Sequence, residues 1–147
     1  MFARTSLVAF TIAAAISACQ GFAVLSARDL PANCARTYTV VSGDFCDGIS
    51  AKESVSTFQL ALVNKAVIDA ACDNLFVDEV ICLGITGQDC DTVHVVQSGE
   101  SCSGIAQTSG ISFSTLLANN RNVNNDCSNI YPGEVLCTAP NVIPYSS

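Results

Sequence analysis

The residues in this chain with the potential for chemistry are nine cysteines, one histidine and a few carboxylates that occur in matched positions. Thiols with histidine suggest zinc or a nucleophilic thiolate, but there is no Cys-x-x-Cys pair and His94 stands alone, so disulfides are the better use of the sulfur. Asp44 with Glu100, and Glu79 with Glu134, have the look of an acid and base pair for glycoside hydrolysis. The plainer reading is that the first pair sits where a helix start favours an anion and the second opens a strand. No catalytic residue, metal site or cofactor follows from these residues, and the chain reads as a non-enzymatic protein.

The elements that position these residues come in two copies. Cys34 and Cys46 recur 56 residues on as Cys90 and Cys102, and Cys72 and Cys82 recur 55 residues on as Cys127 and Cys137. Thr39-Val40-Val41-Ser42-Gly43-Asp44 returns as Val95-Val96-Gln97-Ser98-Gly99-Glu100, and Leu60, Asn64, Asn74 and Glu79-Val80 return as Leu116, Asn120, Asn129 and Glu134-Val135. A tandem repeat of two units of roughly 50 residues follows. Units so small bury little core, and four cysteines in each are the natural staples; within each set, three connectivities remain open.

Each unit opens on a short β-branched strand, Tyr38–Val41 or His94–Gln97, that ends at a Ser-Gly turn. Asp44 or Ser101 then offers an acceptor to a first helix carrying Ile49 or Ile105. Ser56 with Gln59 forms a capping box for a second helix, stapled by Val55 and Leu60; Ile111, Ser112 and Leu116 repeat the arrangement. After Asn64 or Asn120 comes a loop, Asn-rich in the second copy, and a returning strand closes the unit. The order is strand, helix, helix, strand, with both loops at one end if the strands pair antiparallel.

Ahead of the repeats, Leu7–Ala18 is almost wholly apolar behind Arg4, the layout of a secretory signal peptide with cleavage expected after Ala23 or, second, Ala18. The first choice removes Cys19 and leaves an even number of cysteines. Ile16-Ser17-Ala18-Cys19 also resembles a bacterial lipobox. The full chain carries a formal charge of −7, and loss of Arg4 makes it more negative still, so nucleic acid and anionic membrane are poor partners and a neutral polysaccharide is not.

Taken together, Tyr38-x-Val40-x-Ser42-Gly43-Asp44-x-Cys46, Val96-x-Ser98-Gly99-Glu100-x-Cys102, Cys72-x-Asn74, Cys127-x-Asn129 and the closing Val-Ile-Cys and Val-Leu-Cys resemble the lysin motif, LysM. The four-cysteine form is similar to secreted fungal LysM effectors that bind chitin. The resemblance implies an α+β fold of two tandem disulfide-stapled β-α-α-β domains: signal peptide 1–23, arm 24–33, domain 34–83, linker 84–89, domain 90–139 and tail 140–147. It implies chitin or its oligosaccharides as partner, by sequestering fragments from host receptors or by coating hyphae against chitinases, and a possible ligand-induced homodimer. The site expected from it comprises Gly99, Glu100, Ser101, Asn120, Arg121, Asn122, Val123 and Asn124, with Gly43, Asp44, Phe45, Asn64, Lys65, Ala66 and Val67 in the first repeat.

The sequence departs from the family at Phe45, Ser101, Lys65 and Arg121, and Asp78 stands where the second repeat has Gly133. The second repeat is therefore expected to bind better. Trp is absent; Tyr131, Phe45 and Phe113 are candidates for a ring face but are read first as core or shell. Two rivals stand beside this reading. One is a peptidoglycan-binding lipoprotein of bacterial type, and the other a cysteine-rich effector acting on a host protein without sugar binding.

Overall fold

The computed structural model describes residues 30–146; the signal peptide, Cys19 and the start of the arm lie outside them. The first module is β1 (Cys34–Thr39), α1 (Cys46–Glu53), α2 (Thr57–Val63) and β2 (Val80–Ile85). The second is β3 (Val93–Val95), α3 (Cys102–Thr108), α4 (Phe113–Asn119) and β4 (Val135–Cys137). Each module has one antiparallel two-stranded sheet, β1 with β2 and β3 with β4. Two helices pack across it, and the sequence pattern of strand, helix, helix, strand is realised twice.

Each core is small and aliphatic. Val40, Ile49, Val55, Leu60, Ile68, Ile81 and Leu83 fill the first, and Val96, Ile105, Ala106, Leu116, Val123 and Leu136 with Cys102 fill the second. The disulfides are Cys34–Cys82, Cys46–Cys72, Cys90–Cys137 and Cys102–Cys127, all within a module. Such closed loops restrict the unfolded chain and compensate for cores of this size.

The capping expectations hold in part. Ser56 accepts from Gln59 N at 3.1 Å and Ser112 from Thr115 N at 3.0 Å, while Ser101 accepts from Gly104 N at 3.3 Å. Asp44 does not cap α1, because its carboxylate turns back onto its own turn; Phe45 is the N-cap residue and its ring has no acceptor to offer. Gln59 does not close the box onto Ser56. Its amide donates to Leu83 O and Asp89, and its oxygen accepts from Cys90 N (2.8 Å) and Tyr145 OH (3.0 Å).

Backbone geometry repeats more faithfully than sequence. Left-handed φ values occur at matched positions: Gly43 and Gly99, Ser54 and Gly110, Cys72 and Cys127, Asp78 and Gly133. Asp78 takes a φ of 68° where Gly133 takes 96°, so loss of the glycine leaves the turn in place. Aspartate is one of the few residues for which that region is accessible.

The modules pack against each other. Gly84 and Ile85, expected in the linker, belong to β2, and Asp89 is gripped by Arg36 through two bonds of 2.6 and 2.8 Å. The tail folds back: Tyr145 is buried, sets its ring edge-on to Phe58 at 5.3 Å, and hydrogen-bonds Gln59. Thr57 Oγ1 accepts from Val135 N at 3.0 Å and Tyr131 OH donates to Asp47 at 3.1 Å, both across the junction.

Candidate functional site

The turn after each first strand needs φ of 84–92° at Gly99 and Gly43, which is why glycine stands there. The next residue pins the turn. Glu100 Oε2 accepts from Gln97 N and bonds His94 Nε2, both at 2.7 Å. Asp44 Oδ2 accepts from Val41 N at 2.8 Å and Tyr38 OH at 2.9 Å, and Lys52 donates to the same phenol. The bond from His94, followed by that from Gln97, holds Glu100 below its ordinary value, and the Val41 N–H does most to lower Asp44. Both carboxylates are charged parts of a turn clamp. His94 is the half-buried strand residue expected of it, with that clamp as its partner.

The second loop is braced by asparagine. Asn129 accepts from Asn124 N (2.7 Å) and donates to Asn122 O (2.8 Å); Asn74 makes the same two bonds to Asp69 N and Val67 O. Disulfides tie this loop to the first helix, and Cys102 N and Cys46 N each donate to the sulfur of the partner cysteine.

These two loops meet in the second module around an open cavity of about 480 Å³ lined by Glu100, Ser101, Cys102, Ser103, Phe113, Asp126 and Cys127. Hydroxyls, carboxylates, one aromatic ring and the Cys102–Cys127 bridge line it. Of the expected residues, Glu100 and Ser101 line it and Gly99 adjoins it in sequence.

The structure places the others differently. Asn120 is buried and saturated, donating to Leu116 O (2.8 Å) and Cys137 O (2.9 Å) and accepting from Cys137 N (2.8 Å). Asn64 does the same in the first module with Leu60 O, Cys82 O and Cys82 N. Val123 belongs to the core. Arg121 reaches the tail, 5.9 Å over the Tyr145 ring. Asn122 donates to Glu134 at 2.6 Å, and Asn124 is occupied with the loop. Residues 120–124 do not line this cavity, whose second wall is Asp126 and Cys127; Arg121, Asn122 and Asn124 are exposed, while Asn120 and Val123 face the interior.

In the first module four of the expected residues share a groove. Asn64, Lys65, Ala66 and Val67 line a separate groove of about 270 Å³ with Leu30, Pro31, Leu62, Val63 and Val80. Gly43, Asp44 and Phe45 lie outside it. The ring faces also correct their assignment to core or shell: Phe45 is 61% exposed, Tyr131 45% and Phe113 39%. Sequence reasoning missed Ser103 and Asp126, and named Phe113 only as a candidate ring face read first as core or shell. The usable signal was difference rather than repetition, since Phe113 falls in the column of Thr57.

Glu134, a strand opener by its sequence position, is 1% exposed, and its Oε2 is buried without a hydrogen bond. Burial pushes its carboxyl up, and nearby Asp47 adds to the rise. Among the described residues there is no cluster suited to a metal ion and no helix long and apolar enough to cross a membrane.

A β-α-α-β unit stapled by two disulfides and repeated in tandem defines the class: a protein of two small disulfide-stapled α+β modules. The LysM domain model matches residues 38–84 and 94–138, and the chain belongs to the LysM family. It is 32% identical over 131 residues to the secreted LysM effector LysM1 of Trichophyton rubrum, covering 74% of this chain and 52% of that protein. The secreted LysM effector ldpA of Aspergillus fumigatus is 27% identical over 135 residues, covering 71% and 35%. The chain thus spans about half or less of the length of these relatives. The Bacillus megaterium QM B1551 spore cortex-lytic enzyme SleL aligns at 19% identity over 71% of this chain and 22% of its own, with a TM-score of 0.37, too low to add to the argument. The secreted relatives and the four disulfides agree that the protein is extracellular.

Proposed function

We propose that this protein is a secreted, non-enzymatic effector that binds chitin and its oligosaccharides, with the cavity of the second module as its principal site. The observation that carries the reading is the meeting of both loops at that cavity. Ser101 and Ser103 offer hydroxyls, Glu100 and Asp126 accept, and Phe113 gives a face on which a pyranose can rest. N-acetylglucosamine presents hydroxyls, an acetamido group and an apolar ring face, and it is neutral, so the acidic chain does not repel it.

Nothing in this arrangement performs catalysis. The carboxylates of the turns are committed as clamps and no nucleophile with a base stands near them. Binding is the whole activity, and it serves to keep chitin fragments from host receptors or to coat hyphae. Because the first module departs from the pattern at Phe45, Lys65 and Asp78, it is the weaker site, and a long oligomer with one good site per chain bridges two copies through their second modules.

Retention on insoluble chitin, with elution by soluble N-acetylglucosamine oligomers, tests the reading. Preferential retention on peptidoglycan would move the ligand to the bacterial polymer. Passage through both matrices would leave a host protein as the target and sink the carbohydrate assignment.

A further inference from the structure

The junction between the modules joins two dissimilar faces. The first module contributes Asp47 and Thr57, at the starts of α1 and α2, and the second contributes Tyr131 and Val135, at the end of its last loop and the start of β4. Tyr131 OH donates to Asp47 Oδ2 at 3.1 Å and Val135 N donates to Thr57 Oγ1 at 3.0 Å. Both helices pack on β4, and Val135 is completely buried.

Each module carries both faces, so one of each kind is left over. At the free end of the first module Val77 and Val80 stand in the columns of Pro132 and Val135, and they are 57% and 41% exposed. Val40 ties this surface together, its oxygen accepting from Asp78 N at 2.9 Å and its N–H donating to Glu79 O at 2.8 Å. Val80 also lines the groove of about 270 Å³, beside Leu30, Pro31, Leu62 and Val63. At the free end of the second module stand Ser103 and Phe113, in the columns of Asp47 and Thr57, and both are exposed.

The substitutions on the two free faces match each other. Phe76 stands where the second module has Tyr131, and Ser103 where the first has Asp47, so the phenol and the carboxylate that accepts from it are lost together. A ring, Phe113, replaces the threonine that meets Val135, and the groove beside Val80 is aliphatic. Repeat arrays stay soluble by ending on polar outer faces, and the outer face of the first module is not polar.

We propose that this chain assembles head to tail with further copies of itself. The Phe113 face of one molecule seats on Val77 and in the groove beside Val80 of the next, as the start of α2 seats on β4 within the chain. The two sides of the contact lie on different modules, so it propagates instead of closing at two molecules. The chain's formal charge of −7 opposes assembly, and salt screens that repulsion without weakening an apolar contact. Ser103 and Phe113 also line the second-module cavity, so on the carbohydrate reading given above the sugar and the neighbouring copy exclude each other.

Sedimentation velocity of the full chain without sugar, in a series rising to about 1 mM, is the test. The mean mass should climb past the dimer as concentration rises, and added salt should strengthen the assembly. Val77→Asp and Phe113→Asp each put a charge on one of the two faces, and each should weaken assembly roughly tenfold or more while circular dichroism shows the fold of the parent. Val80→Thr, which keeps a β-branched residue on the strand, should lose part of it. Mixed one to one, the two charged variants should form a dimer that grows no further, because each retains the face the other lacks. A parent that stays monomeric throughout would overturn the proposal, as would a parent that stops at a dimer or charged variants that do not pair on mixing. The tetramer of β-1,4-linked N-acetylglucosamine should return the parent to monomers; assemblies that persist with the tetramer bound would show that Phe113 is not the partner face. A tetramer that fails to bind counts against the carbohydrate reading, and the mixing result still decides the assembly.

Discussion

Replacing Asn120 with alanine separates structure from binding at a position the sequence assigns to the sugar. The side chain makes three buried hydrogen bonds, to Leu116 O, Cys137 O and Cys137 N. Alanine leaves these backbone groups buried without that partner, at about 1 kcal/mol each, so a loss near 3 kcal/mol is expected. That is a large share of the roughly 5–15 kcal/mol that holds a small domain folded. Urea unfolding followed by circular dichroism, with the disulfides intact, should show the midpoint falling while the slope stays unchanged. Affinity for a chitin oligomer, measured well below the transition, should stay within about twofold, because Asn120 does not line the cavity. A variant as stable as the parent that had lost sugar binding would show Asn120 to be a ligand contact and the argument from its buried bonds to be wrong.

Tyr145→Ala should cost about 3 kcal/mol or more, since it removes a buried ring against Phe58 and the bond to Gln59; the unfolding midpoint reports it. Glu134 is raised above its unfolded value by burial, so its contribution to stability is complete below that value and is lost as pH rises through the folded one. Glu134→Gln should flatten that decline in a pH series of melts. Removing the Cys46–Cys72 bridge as a double alanine variant should cost about 3.5 kcal/mol by the loop-entropy argument, and intact mass should show no alkylation of the unreduced parent. Light scattering should give a doubled mass with long chitin oligomers and a single mass with short ones; a strictly monomeric complex at every length speaks against bridging.

Much of this fold could be read from the sequence because its signals are local. Ser56 before Thr57 and Ser112 before Phe113 are helix starts, Gly43 and Gly99 are turns that need a left-handed residue, and the cysteine columns bound each unit. What escaped reading depends on contacts between distant residues. Nothing near Gln59 in sequence indicates that its amide will serve Leu83, Asp89, Cys90 and Tyr145 together. A linker judged by its length looks like a tether, but Arg36, far upstream, turns Asp89 into an anchor.

The site was partly legible for the same reason. Glu100 and Ser101 follow directly from the turn motif, and they line the cavity. Among the asparagines after α4, Asn120 has a polar side chain that serves the interior, and the repeated column records that interior role. Exposure of Phe45, Phe113 and Tyr131 was hidden as well, since aromatic residues in so small a domain are ordinarily needed for its core and here aliphatic residues suffice.

The most direct test of the central claim is to fill the cavity and measure the sugar. Ser103 is exposed on its wall, so Ser103→Trp puts bulk into the space without disturbing the core. Calorimetry of the full chain with the tetramer of β-1,4-linked N-acetylglucosamine should show the affinity of the parent fall by roughly tenfold or more, while the unfolding midpoint stays where it was. A filled cavity that binds the tetramer as tightly as the open one would contradict the account.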